Sequence, residues 1–237
     1  KTGDQTVLQT HYYNTLQRCA CYSGKILLLS DSTFVNPAKG FEGLKDKGKG
    51  KENNLRVHYV LAVSGDGKHI FGMLSFRVIS DHLAKTNITL NNEADIWSLT
   101  AKDCSARIKG LAPELLKRCI YITDREGDDF DLIKTLKGLG LGFIIRSKHN
   151  RKCLLKEETK SLKELKGSSI LHGRKYIIKT KDGGKARNVT VKRSVHRNLS
   201  IIPPQEFSDH PNLECNVVWV SGVDGNEDYQ GWRILTD

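Results

Sequence analysis

The sequence has no C-x-x-C pair and no pair of histidines spaced to complete one, although six cysteines are present: Cys19, Cys21, Cys104, Cys119, Cys153 and Cys215. Neither a zinc site nor a disulfide framework is indicated, and a reduced, cytoplasmic protein is expected. Long apolar runs are also missing. The longest near the start is Ile26 to Leu29, too short for a transmembrane span or for the apolar part of a signal peptide. No membrane partner is expected, and the N-x-[ST] matches at Asn87, Asn188 and Asn198 read as chance. The chain starts at Lys1 without an initiator methionine and is read as a piece trimmed from a longer protein. A working P-loop is lacking as well. Gly43-x-x-x-x-Gly48-Lys49 has the spacing, but Gly50 stands where a magnesium-binding Ser or Thr is required, and no helix follows to offer its amino end to a phosphate.

What is present is 237 residues, 38% hydrophobic, enough for one large domain or for a core carrying a substantial insertion. The net charge of +11 is concentrated. From Ile145 to Ser200 there are 17 Lys and Arg against 4 Asp and Glu, while the remainder holds 21 against 23. One continuous region carries the whole positive excess, which points to a polyanion such as DNA or RNA, less to a membrane surface. A merely solvated basic face is the bland alternative.

Along the chain, Leu8, Tyr12, Leu16 and Cys19 recur at helical spacing within residues 5–19. Lys25 to Asp31 reads as a short buried strand ending in a carboxylate. Leu55 to Ser64 and His69 to Ser80 read as two strands joined by a hairpin at Gly65-Asp66-Gly67, and Glu93 to Gly110 as a helix. Cys119 to Ile122 suits a strand buried on both faces. It runs into the acidic cluster Asp124, Glu126, Asp128, Asp129 and Asp131, then a helix carrying Phe130, Ile133, Leu136 and Leu139. Leu141 to Lys148 is another strand, Cys153 to Gly167 a short helix, and 170–180, 186–197 and 213–223 are further strands. The last is Gly231 to Asp237.

Asp124 follows the carboxyl end of a central strand, where open α/β sheets gather ligands, and a carboxylate there can hold a hard cation. Asp128, with Asp131 three residues on, reads instead as a helix cap. Asp31 has two readings: a second strand-end ligand, or the start of a turn before Ser32 and Thr33. Trp232, on residue type alone, is more often core than function.

In order, these landmarks resemble the bacterial DDE transposases of the cut-and-paste insertion-sequence type, whose RNase-H-like core is interrupted by a β-rich insertion. Asp31-Ser32-Thr33 is similar to the family's Asp-Thr-Thr, and Asp124-Arg125-Glu126-Gly127-Asp128 to its Asp-Arg-Glu-Ala-Asp. Arg146-Ser147-Lys148-His149 matches its arginine-serine-lysine-histidine strand, and Trp232-Arg233-Ile234-Leu235-Thr236 its Trp-Leu-Leu-Leu-Thr strand. The resemblance implies an α/β fold: an RNase-H-like mixed sheet with flanking helices and a β-rich insertion subdomain. Residues 1–24 would be an N-terminal helical segment, 25–150 the first part of the core, 151–230 the basic insertion, and 231–237 the returning strand, with the rest of the core beyond.

It further implies metal-dependent cleavage and strand transfer at transposon ends, in bacterial cytoplasm, by a homodimer bound to double-stranded DNA. Asp31 and Asp124 are then the catalytic and metal-binding acids of a two-ion magnesium or manganese site. They are 93 residues apart, so only a fold with adjacent strands could bring them to one ion. Arg125, Arg146, Lys148, Lys152 and Trp232 are the candidate DNA-binding residues, Trp232 by stacking on a flipped base. Arg125 could equally serve a structural ion pair. The third acid, a Glu in the family, would fall after Asp237, so the piece alone is expected to bind metal weakly and not to cleave DNA. The alternatives are a non-catalytic DNA-binding relic of such an enzyme and, more weakly, a nuclease acting on hybrids or junctions.

Overall fold

The computed structural model describes residues 3–35, 55–79, 93–165, 171–178, 187–222 and 232–237. The motif at Gly43 to Lys49, the polar stretch 81–92 and the expected turn at Gly183-Gly184 lie outside them. The chain is mixed α/β and clusters into two compact units, Lys1–Thr123 with Asp131–Phe143, and Asp124–Phe130 with Ile144–Asp237.

The first unit is built on a mixed sheet in the order β3-β2-β1-β4. Strands β1 (Ile26–Val35), β2 (Leu55–Ser64) and β3 (Ile70–Ile79) form an antiparallel meander, and β4 (Cys119–Thr123) adds in parallel to β1. Alternation sets the faces. Ile26 and Leu28 of β1, Val60 and Ala62 of β2, and Cys119 and Tyr121 of β4 are all buried. Helix α1 (Gly3–Cys21) contributes Tyr12, Leu16 and Cys19, and α2 (Glu93–Leu111) contributes Ile96, Trp97, Cys104 and Ile108. Helix α1 lies so close to β3 at Gly72 that an added Cβ would clash with Thr15 Oγ1, and Gly72 has φ +136°. Only glycine suits that point. Arg18 Nε donates to Phe71 O at 2.6 Å, and Arg107 stacks its guanidinium on the Tyr12 ring at 4.3 Å. A 3-10 turn at Pro113–Arg118, unannounced in the sequence reading, leads into β4. Helix α3 (Phe130–Leu139) buries Leu132, Ile133 and Leu136, and Ser98 Oγ donates to Asp131 at 2.9 Å.

In the second unit, the end of β5 (Gly142–Arg146) pairs with β11 (Trp232–Thr236). The order then continues through β10 (Leu213–Gly222), β9 (Arg187–Ile201), β6 (Lys152–Leu155) and β7 (Glu158–Ser161), with β8 (Leu171–Ile178) also on β9. Every one of these pairings is antiparallel. Cys153, Leu162, Leu199, Ile201, Cys215, Val217 and Leu235 are buried.

Two expectations are corrected. The stretch after Cys153 is not a helix but the β6–β7 hairpin, turned at Lys156 (φ 51°) and Glu157 (φ 69°). Two consecutive left-handed residues make the hairpin turn that usually carries Asn-Gly, so its residue types conceal it. Strand β1 does not stop at Asp31 but continues to Val35, because β2 keeps supplying partners from Asp31↔Tyr59 to Val35↔Leu55.

No disulfide joins the cysteines, all six being free thiols. Burial pushes the Cys19 thiol up from 9.0 to about 11 and Cys119 to about 12, and raises Cys104 and Cys153. Cys215 is buried and Cys21 exposed. Because the thiolate is the nucleophile, iodoacetamide at pH 8 is expected to modify Cys21 alone, read by peptide mass spectrometry. Their stabilising share holds below pH 9.0 and is lost as pH rises toward about 11 to 12. No helix among the described residues is long and apolar enough to cross a membrane.

Candidate functional site

Asp31 is an exposed residue within β1, and its Oδ1 accepts the Ser32 backbone N–H at 2.8 Å. Its strand is held on one side by β2 and, as far as the Leu29↔Ile122 pair, on the other by β4. Asp124, also exposed, follows β4 directly and keeps extended backbone (φ −78°, ψ −166°). Each aspartate is thus two residues beyond the last parallel pair. Asp124 also caps the 3-10 turn Arg125–Gly127, its Oδ1 accepting from Glu126 N at 2.8 Å. Asp124 therefore has a capping role besides its place after the strand. Among the described residues, no group of three His, Cys, Asp or Glu is arranged to hold a metal.

Behind Asp31, on the opposite face of β1, lies a buried polar cluster. His58 is fully buried on β2, with Nε2 3.1 Å from Ser30 Oγ and Nδ1 2.8 Å from Ser32 Oγ. Tyr121 donates its hydroxyl to Ser30 Oγ at 2.7 Å, and the Trp97 ring meets the imidazole edge-on at 4.4 Å. Burial pushes the Tyr121 phenol far up, so it stays protonated at any physiological pH. His58 escaped the sequence reading. Its signal was available: it shares the buried alternation of Val60 and Ala62.

Within the second unit, Asp128 is not a helix cap but a buried anchor. Its Oδ2 accepts from Ser147 Oγ (3.1 Å), Lys148 N (2.7 Å) and His149 N (2.8 Å). Its Oδ1 accepts from Arg151 Nε (3.2 Å) and Nη2 (2.8 Å). The Asp128 side chain is 0% exposed and that of Arg151 9%. The same segment is gripped from β11, where Arg233 donates to the carbonyls of Lys148 and His149 at 3.3 Å. Burial lowers the Arg233 pKa, and the Asp128 carboxylate partly offsets it. Neither Asp128 nor Arg151 was singled out for this role, since they meet only in the folded chain.

That scaffold presents the candidate DNA-binding residues. Lys148 and Lys152 are exposed, Lys152 as the first residue of β6. Trp232 is 44% exposed, and the Arg146 guanidinium lies over its ring at 4.7 Å, so Trp232 is not a core residue. Arg125 is exposed in the 3-10 turn after Asp124.

No protein-family model matches this sequence, and no curated protein matches it significantly.

Proposed function

We propose that the chain is part of the catalytic core of a DDE-type DNA transposase with an RNase-H-like fold and a basic β-rich insertion, the full-length protein acting as a homodimer on paired transposon ends. Asp31 and Asp124 are the first two acids of its triad and would hold the metal. The observation that carries this reading is the parallel register of β1 and β4, which gives both aspartates the same offset beyond Leu29↔Ile122. It is further supported by the strand order, an antiparallel meander followed by a parallel strand, and by the charge concentrated between Ile145 and Ser200. When bound, magnesium or manganese supplies activation of the attacking oxygen and charge stabilisation at the leaving oxygen of a phosphodiester. The chain's own residues bind and orient. Arg125, Arg146, Lys148 and Lys152 hold backbone phosphates, and Trp232 offers its indole to an unpaired base.

The test is manganese binding, read from the free-ion electron paramagnetic resonance signal. Asp31→Asn and Asp124→Asn are each expected to weaken binding at least about tenfold, roughly 1.4 kcal/mol, while Asp66→Asn in the β2–β3 turn leaves it unchanged. Equal affinity in all four proteins would sink the metal reading. DNA binding without cleavage is the second reading, supported by the charge pattern alone. It stands if DNA is still bound when no manganese site is found.

A further inference from the structure

We infer that His58 is a positioning residue for Asp31, acting through Ser32; the inference rests on the reading of Asp31 as a metal ligand. The geometry makes a continuous chain. Tyr121 O–H reaches Ser30 Oγ at 2.7 Å, Ser30 Oγ lies 3.1 Å from His58 Nε2, and His58 Nδ1 lies 2.8 Å from Ser32 Oγ. With Tyr121 donating, every step is satisfied in either neutral tautomer: Ser30 donates to Nε2 and Nδ1–H donates to Ser32, or Nε2–H donates to Ser30 and Ser32 donates to Nδ1. Ser32 then gives its backbone N–H to Asp31 Oδ1 at 2.8 Å. The imidazole therefore holds the residue that holds the carboxylate.

The placement explains a cost that packing does not. A His, two Ser and a Tyr hydroxyl under a sheet cost more to bury than aliphatic side chains, and are tolerated only when their polar atoms are paired. They occur where β1 needs a substitute partner. Its parallel register with β4 ends at Leu29↔Ile122, so residues 30–32 have β2 on one side and, from beneath, the two hydroxyls clamped to one ring. Trp97, edge-on at 4.4 Å, sets the ring plane. Outer groups that orient a ligand typically change metal affinity by about 10- to 100-fold when removed.

Ser32 is the point of attack, because it is only half-buried and its loss leaves the core intact. In metal-free protein, Ser32→Ala is expected to raise amide hydrogen exchange at Asp31 and Ser32 about tenfold, with the fold retained and Tm lowered by only a few degrees, and to shift the ring-nitrogen signals of His58 in nitrogen-15 spectra. With manganese it is expected to weaken binding about tenfold. Ser32→Thr, which keeps the hydroxyl and suits a strand, should restore all three. His58→Phe keeps the ring volume and should reproduce the loss. Exchange and ring-nitrogen signals unmoved by Ser32→Ala overturn the inference, as does unchanged manganese affinity in Ser32→Ala when Asp31→Asn weakens it. If Asp31→Asn itself does not alter manganese binding, the metal reading fails while the metal-free signals still decide whether the clamp exists.

Discussion

Asp128→Ala is expected to destabilise the protein by about 3–5 kcal/mol, measured by urea unfolding. The residue has no solvent-exposed side-chain surface, and its two oxygens take five hydrogen bonds from Ser147, Lys148, His149 and Arg151. Removing it leaves the Arg151 guanidinium buried without its counter-charge and strips the partners from two backbone N–H groups. The pair's own attraction is largely offset by the desolvation of both ions, so the loss comes mainly from what is left unpaired. That distinction is measurable. Replacing both residues, Asp128→Ala with Arg151→Met, is expected to recover a good part of the single variant's loss, the coupling expected of groups in one network. A loss below about 1 kcal/mol for Asp128→Ala would mean that the segment 147–151 is held by something else.

DNA affinity is expected to fall roughly a thousandfold between about 50 and 200 mM salt, if on the order of six phosphates are neutralised. The basis is the charge imbalance of 17 to 4 between Ile145 and Ser200. Three of those charges, Arg146, Lys148 and Lys152, belong to or border the segment that Asp128 and Arg233 hold in place. Changing all three to alanine should lower the slope of log affinity against log salt by about 3. Fluorescence anisotropy on a duplex at four salt concentrations reads both numbers. A flat salt response would remove the basic region as the binding surface, and a slope unchanged in the triple variant would move the contacts elsewhere in it. The two predictions are linked through one segment. Asp128→Ala should loosen the presentation of Lys148 without altering charge there beyond its own.

Several elements were readable because their determinants are local. Leu55 to Ser64 reads as a strand from its branched and aromatic residues, and the structure gives those bounds. Glu93 to Gly110 carries its apolar residues at helical spacing, and α2 ends one residue later. The hairpin at Gly65-Asp66-Gly67 has Gly67 at φ +74°, the conformation its residue type supplies at low cost. Other features had no local cause. The β6–β7 turn places Lys156 and Glu157 in a conformation neither prefers, and the strands that hold it there arrive from elsewhere: β9 pairs with β6, and Trp219 Nε1 donates to Leu162 O at 3.1 Å.

The amino-acid order by itself determined the strand Leu55–Ser64 and the helix that begins at Glu93, that acidic residues follow the run Cys119–Thr123, and that positive charge gathers in one region, because propensity, alternation and composition act between near neighbours. Tertiary structure alone decided that His58 would sit beneath Ser30 and Ser32, and that Asp128 would be consumed by Arg151 and the 147–151 backbone. The reason is that a buried polar group must find its partner wherever the folded chain brings one. For His58 and Asp128 those partners lie about twenty residues or more away in sequence, a separation that no local pattern encodes.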